Sequence, residues 1–120
     1  MKLLAEKDIK IEEITIYLNL FQLHKSFLLL ISDQENMGIG NVTLGTPPPI
    51  EGLKSTTASY SLFGVDPKLL STLIAERASN ILKAPVLLLL FLKIKKKDKE
   101  IAKPLIDFIN NVLNAIKEKK

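Results

Sequence analysis

Between Pro85 and the lysines that begin at Lys93 the chain carries an unbroken apolar run, Val86-Leu87-Leu88-Leu89-Leu90-Phe91-Leu92. This run restricts the fold more than any other segment. Counted from Ala84 it is about nine residues long, and a membrane-spanning helix needs about twenty, so it is a buried element of a soluble fold. It shows no alternation of apolar and polar residues. That pattern predicts a central strand covered on both faces.

The segments on either side supply the covering helices. Gly64-Val65-Asp66-Pro67 reads as a helix start, with Asp66 able to cap free amides and Pro67 suited to the first helical position. Leu70, Leu73, Ile74, Ala78 and Ile81 then fall on one helical face. The helix is expected to stop near Lys83, because Pro85 disfavours helical geometry at Ala84. Beyond the charged stretch from Lys93 to Glu100, a second helix follows from Ile101, Leu105, Phe108, Ile109, Val112, Leu113 and Ile116 at three-and-four spacing. Pro104 lies near its start, where a first turn tolerates proline.

Upstream of these helices the period changes to two. Ile14, Ile16, Leu18 and Leu20 alternate with Thr15, Tyr17 and Asn19, which predicts a strand with one buried face. His24-Lys25-Ser26 is a polar break before a second apolar run, Phe27 to Ile31, and the tight spacing suggests a hairpin. Ser32 to Asn36 reads as a loop, and Ile39 to Leu44 as a third strand. That strand ends at Pro47-Pro48-Pro49, which cannot donate to a ladder. Lys54 to Phe63 is β-prone but polar, so a fourth strand is expected at an edge or facing water. The expected order is β-β-β-β-α-β-α, an α+β fold with an antiparallel or mixed sheet and two helices packed on it. Residues 1–120 are expected to form one domain, with 1–12 as a flexible N-terminus.

Composition removes most chemistry. There is no cysteine, which excludes disulfides, thiol nucleophiles and cysteine-based metal sites and fits a reducing cytoplasm. No signal peptide is visible at the N-terminus. His24 is the single histidine and reads as a hairpin-turn residue. Glu12 and Glu13 are adjacent, so on a strand they would point to opposite faces rather than share a proton. Gly52-Leu53-Lys54-Ser55 lacks the Gly-Lys pair of a phosphate loop. The Asn41-Val42-Thr43 glycosylation sequon carries no weight without a secretory signal. No catalytic, cofactor or metal site is therefore expected.

The net charge of +4 is uneven. Residues 91–120 hold nine lysines against four acids, giving +5, and the remainder balances to −1. Lys93, Lys95, Lys96, Lys97 and Lys99 form the one basic cluster. It reads as a solvated turn, as a contact for an acidic protein, or as a nucleic-acid contact. Sixteen of the seventeen basic residues are lysine, which disfavours base readout by arginine forks, and no aromatic platform flanks the cluster. A lysine-rich, cysteine-free chain also suits a hot environment.

Ser59-Tyr60-Ser61-Leu62-Phe63-Gly64, Leu73-Ile74-Ala75-Glu76-Arg77 and Pro85-Val86-Leu87, with Phe21 to Leu29 upstream, give the chain a family likeness. It resembles the small proteasome-assembling chaperones, with the third and fourth eukaryotic members as its nearest counterparts and the fourth the closer. The resemblance implies an archaeal-type homologue that works as a dimer, binds proteasome α subunits and promotes α-ring assembly. On that reading Pro47, Pro48, Pro49, Lys93, Lys95, Lys96 and Lys97 are candidate partner contacts, and Thr57, Ser59 and Ser61 a candidate dimer edge. The proline-rich loop departs from the family pattern. The alternative is a small basic nucleic-acid-associated protein using Lys93 to Lys99.

Overall fold

The computed structural model describes residues 1–38, 40–47, 56–61, 68–93 and 98–118. Alternation in the sequence becomes alternation in burial from the first hairpins onward. Strands β1 (Lys2–Ile11), β2 (Ile14–Leu23) and β3 (Ser26–Ser32) form an antiparallel meander. Ile14, Ile16, Leu18 and Leu20 face the core, with Phe27, Leu29 and Ile31 beside them on β3. Strand β1 departs from the flexible N-terminus expected for residues 1–12, because it pairs with β2 almost from end to end. Its sequence hid this. The charged residues Lys2, Glu6, Lys7, Asp8 and Lys10 mask the period-two signal, and a bulge between Leu3 and Ala5 shifts its phase.

Glu12-Glu13 is the two-residue turn of the first hairpin rather than part of a strand, and Glu12 adopts φ 56°. His24-Lys25 is the turn of the second, as expected, and Ser26 Oγ donates to the His24 carbonyl at 3.0 Å.

Strands β4 (Asn41–Thr46) and β5 (Thr56–Ser61) make a separate hairpin. Helix α1 (Lys68–Leu82) leads from it to β6 (Val86–Phe91), and helix α2 (Asp98–Glu118) completes the described chain. The expected start at Asp66-Pro67 lies outside the described residues. Helix α1 ends where the sequence indicated, with Lys83 in the left-handed region at φ 54° just beyond it. Helix α2 begins earlier than expected, so Pro104 sits inside the helix rather than in its first turn.

The sheet is mixed, six-stranded and ordered β1-β2-β3-β6-β4-β5. Its one parallel pair is β3 with β6, from Phe27↔Val86 to Ser32↔Phe91. Main-chain bonds from Phe27 N to Pro85 O (3.0 Å) and from Asp33 N to Phe91 O (3.3 Å) close the two ends of this pair. Both helices pack on one face. Leu70, Ile74, Ala75 and Ala78 of α1 and Leu105, Ile109 and Leu113 of α2 meet Val86, Leu88 and Leu90 and the inward residues of β2 and β3.

Helix α1 approaches β4 closely. A Cβ added at Gly45 would lie 2.4 Å from the Ala75 carbonyl oxygen, and Asn41 Nδ2 donates to Ser71 Oγ at 3.3 Å in the buried interface. This small-residue contact fixes the rotation of α1. Leu73, expected in the core, is 44% exposed, since at about 100° per residue it lies some 200° round the helix from Ala75.

Strand β6 is central, as its apolar run required, but it is covered on one face only. Val86, Leu88 and Leu90 are fully buried while Leu87, Leu89 and Phe91 are half-buried. The two helices pack against each other as well as on the sheet, so neither is free to cover the opposite side.

Three stability effects follow, each measurable by urea denaturation. Gly45→Ala pushes α1 off β4 and costs about 1–3 kcal/mol. Leu88→Ala opens a cavity where the side chain is completely buried and costs about 2–5 kcal/mol. Lys83→Gly relieves the left-handed residue after α1 and gains about 0.5–1 kcal/mol.

Candidate protein-interaction surface

The uncovered face of the sheet is built by register. Where Leu88 turns to the helices, Leu87 must turn away, and its neighbours in the ladders turn away with it. Pairing aligns Leu3, Phe21, Leu28, Leu87 and Leu44 into one row across β1, β2, β3, β6 and β4. The adjacent row holds Asn19, Leu30, Leu89 and Val42. Leu3 and Leu44, which end the first row, are 46% and 44% exposed. A third row, Tyr17, Ser32 and Phe91, lies beneath the loop that follows β3. Gly38 sits against the Phe91 ring, and Glu35 and Met37 line a cleft with Glu6, Asp8, Tyr17 and Asn19. The loop therefore shields one end of the face and leaves the first two rows open, the second of them carrying Asn19 and, on β1, Glu6.

Asp33 anchors that loop. It is 8% exposed, and its Oδ1 accepts the Lys93 amide at 2.9 Å and the Gln34 side-chain amide at 3.2 Å. Gln34 N in turn donates to Ser32 Oγ at 2.9 Å. The end of β3, the loop and the end of β6 thus form one hydrogen-bonded unit.

The two edges of the sheet differ. Strand β1 carries charges along its length and the bulge near Leu4, both of which discourage pairing with another chain. Strand β5 sits at the other edge, where its polar sequence predicted an edge strand. Thr56 to Ser61 includes no charge and no proline, and its ladder with β4 is regular.

The remaining sequence candidates are scattered. Pro47 follows β4 and is half-buried; Pro48 and Pro49 lie outside the described residues. Lys93 is exposed just after β6, and Lys95, Lys96 and Lys97 also lie outside. Because β4 and β6 are antiparallel, with Gly45 opposite Val86 and Asn41 opposite Leu90, Pro47 and Lys93 occupy opposite ends of the sheet. They do not form one contact patch. Thr57 and Ser59 lie on β5 opposite Gly45 and Thr43, and Ser61 opposite Asn41. His24 is exposed in its turn. Among the described residues no three histidine, aspartate or glutamate side chains gather as metal ligands, and no helix is long and apolar enough to cross a membrane.

One surface cleft was not anticipated. Leu73, Glu76, Arg77, Asn80 and Ile81 of α1 border it with Lys117 of α2, around about 460 Å³. The exposure of Leu73 was the hidden signal, and only the packing of α1 on β4 reveals it.

No family model matches the chain, and no curated protein matches it. A solved structure does: a chain of a yeast chaperone complex for 20S proteasome assembly, with a TM-score of 0.59 and 10% identity over 94% of this chain and 99% of that one. The two chains share a fold. At that identity the likeness extends to architecture alone.

The loop clamp has a direct consequence. Asp33→Ala leaves the Lys93 amide without its acceptor and costs about 1–3 kcal/mol. Hydrogen exchange at Lys93 should speed up well before exchange in the β3–β6 core does.

Proposed function

We propose that this chain is a non-enzymatic, cytoplasmic chaperone that binds proteasome α subunits, promotes assembly of the 20S α ring and acts as a dimer. The observation that carries the reading is the shared fold with a chain of a proteasome-assembly chaperone complex, nearly end to end in both chains. The local likenesses at Ser59–Gly64, Leu73–Arg77 and Pro85–Leu87 support it from the sequence side.

The physics of such a role matches the surfaces described. An assembly chaperone needs a rigid scaffold and contacts that hold a partner without altering it. The α1–α2 cleft offers Arg77 and Lys117 beside exposed Leu73, a mixture of charge and apolar surface suited to a protein partner. Strand β5, with Thr57, Ser59 and Ser61, offers an edge for main-chain pairing. Pro47 begins a stiff segment that loses little entropy on binding, and Lys93 adds a cation at the opposite end of the sheet.

The test is reconstitution with free α subunits from the same organism. Co-elution and a higher yield of α rings are expected. Arg77→Glu in the α1–α2 cleft should reduce capture by tenfold or more, on the order expected for a central interface arginine. Absence of both co-elution and ring enhancement would overturn the reading.

A further inference from the structure

We infer that the cleft between α1 and α2 takes a helical segment of a partner protein, one that sets an acidic side chain between two aliphatic ones at four-residue intervals. The inference rests on one element of the proposed function, that this cleft meets a protein partner, and adds what the partner presents there.

Leu73, Arg77 and Ile81 recur every four residues along α1, so they form one stripe on its surface. From Leu73 to Ile81 the stripe is about 12 Å long, a little over two helical turns. Lys117 of α2 closes the cleft on its far side, and Glu76 and Asn80 border it beside the stripe. Two helices packed side by side leave a furrow of this kind, and a third helix fills it by laying its own ridge of side chains into it. Such a helix meets the stripe at matching intervals, its outer residues against Leu73 and Ile81 and its middle residue against Arg77. The pattern reads the same in both directions, so either orientation of the partner serves.

The aliphatic ends of the stripe are open to a partner. Leu73 is 44% exposed; among the described residues the other exposed large apolar side chains are Met1 at the terminus and Leu3 and Leu44 on the open face of the sheet. Turning Leu73 inward is closed to α1, because Ala75 is held against Gly45. Ile81 is half-buried in the same cleft.

Charge sets the middle residue. Arg77 and Lys117 are exposed, and neither has a salt bridge among the described residues. Two cations thus stand against the single carboxylate of Glu76. An aspartate or glutamate at the middle of the partner's stripe meets both cations, and the Arg77 fork suits a carboxylate in particular. A lysine or arginine there meets its own sign. Glu76 weakens the attraction without reversing it.

The test uses the full chain alone, without α subunits, and a synthetic helix as probe. The probe is an acetylated, amidated peptide of about 16 residues, rich in alanine and glutamine for helicity, with leucine, glutamate and leucine at successive four-residue intervals. Fluorescence anisotropy of the labelled peptide reads the affinity. Saturable binding is expected, about tenfold tighter than for the same peptide with lysine in place of glutamate. Arg77→Glu should reverse that preference, a result that an unfolded variant cannot give. Glu76→Gln should tighten the glutamate peptide about threefold. Leu73→Asp should weaken both peptides with circular dichroism unchanged, since Leu73 is already exposed. Leu44→Asp on the sheet should change neither.

Equal binding of the two peptides overturns the inference, as does no binding at millimolar peptide. Binding that survives both Leu73→Asp and Arg77→Glu overturns it equally. Reconstitution with α subunits is a separate readout. Ring enhancement without peptide binding overturns this inference and leaves the chaperone reading standing; peptide binding without capture of α subunits or ring enhancement does the reverse.

Discussion

The parallel pairing of β3 with β6 is the contact on which the rest of the structure depends. The meander β1-β2-β3 is a local product of two two-residue turns, and it and the β4-β5 pair each have a face with nothing of their own to cover it. Strand β6 enters between them, parallel to β3 and antiparallel to β4, and makes one sheet of the two. Its register is enforced at both ends by the Phe27–Pro85 and Asp33–Phe91 main-chain bonds, and at one end again by Asp33 Oδ1 on the Lys93 amide. A slip of one residue would turn Val86, Leu88 and Leu90 away from the helices and put Leu87, Leu89 and Phe91 in their place.

That same register creates the open face. Leu87 and Leu89 complete rows begun by Leu28 and Leu30 on one side and by Leu44 and Val42 on the other. The helices compete for the opposite side because they also pack on each other. A six-stranded sheet with all its helices on one face must leave the other face to water or to a partner. Here that face is aliphatic at its centre and acidic at its β1 margin, while β1 itself is guarded by charges and a bulge.

Much of the architecture was legible from local pattern. The alternation from Ile14 to Leu20, the turn at His24-Lys25, the end of α1 at Lys83 and the edge position of the polar strand all follow from one- or two-residue rules. The misses share a cause. Strand β1 was hidden because an edge strand tolerates charge at positions that a central strand would bury. Leu73 was assigned to the core because periodicity gives a helix an apolar face but not its rotation. That rotation was set by Gly45, Ala75 and Ser71, three small residues with little pattern of their own.

The sequence by itself determined every described element but β1, the absence of cysteine chemistry and the central place of Val86 to Phe91 in the sheet, because these depend on residue types within a few positions of each other. Only the tertiary structure decided which face of β6 is buried. A run of identical leucines carries no phase, and the choice between Leu88 inward and Leu87 inward is made by partners far away in the chain. Phe27 and Gly45 set that phase through hydrogen-bonded ladders, and with it which of these side chains the open face presents.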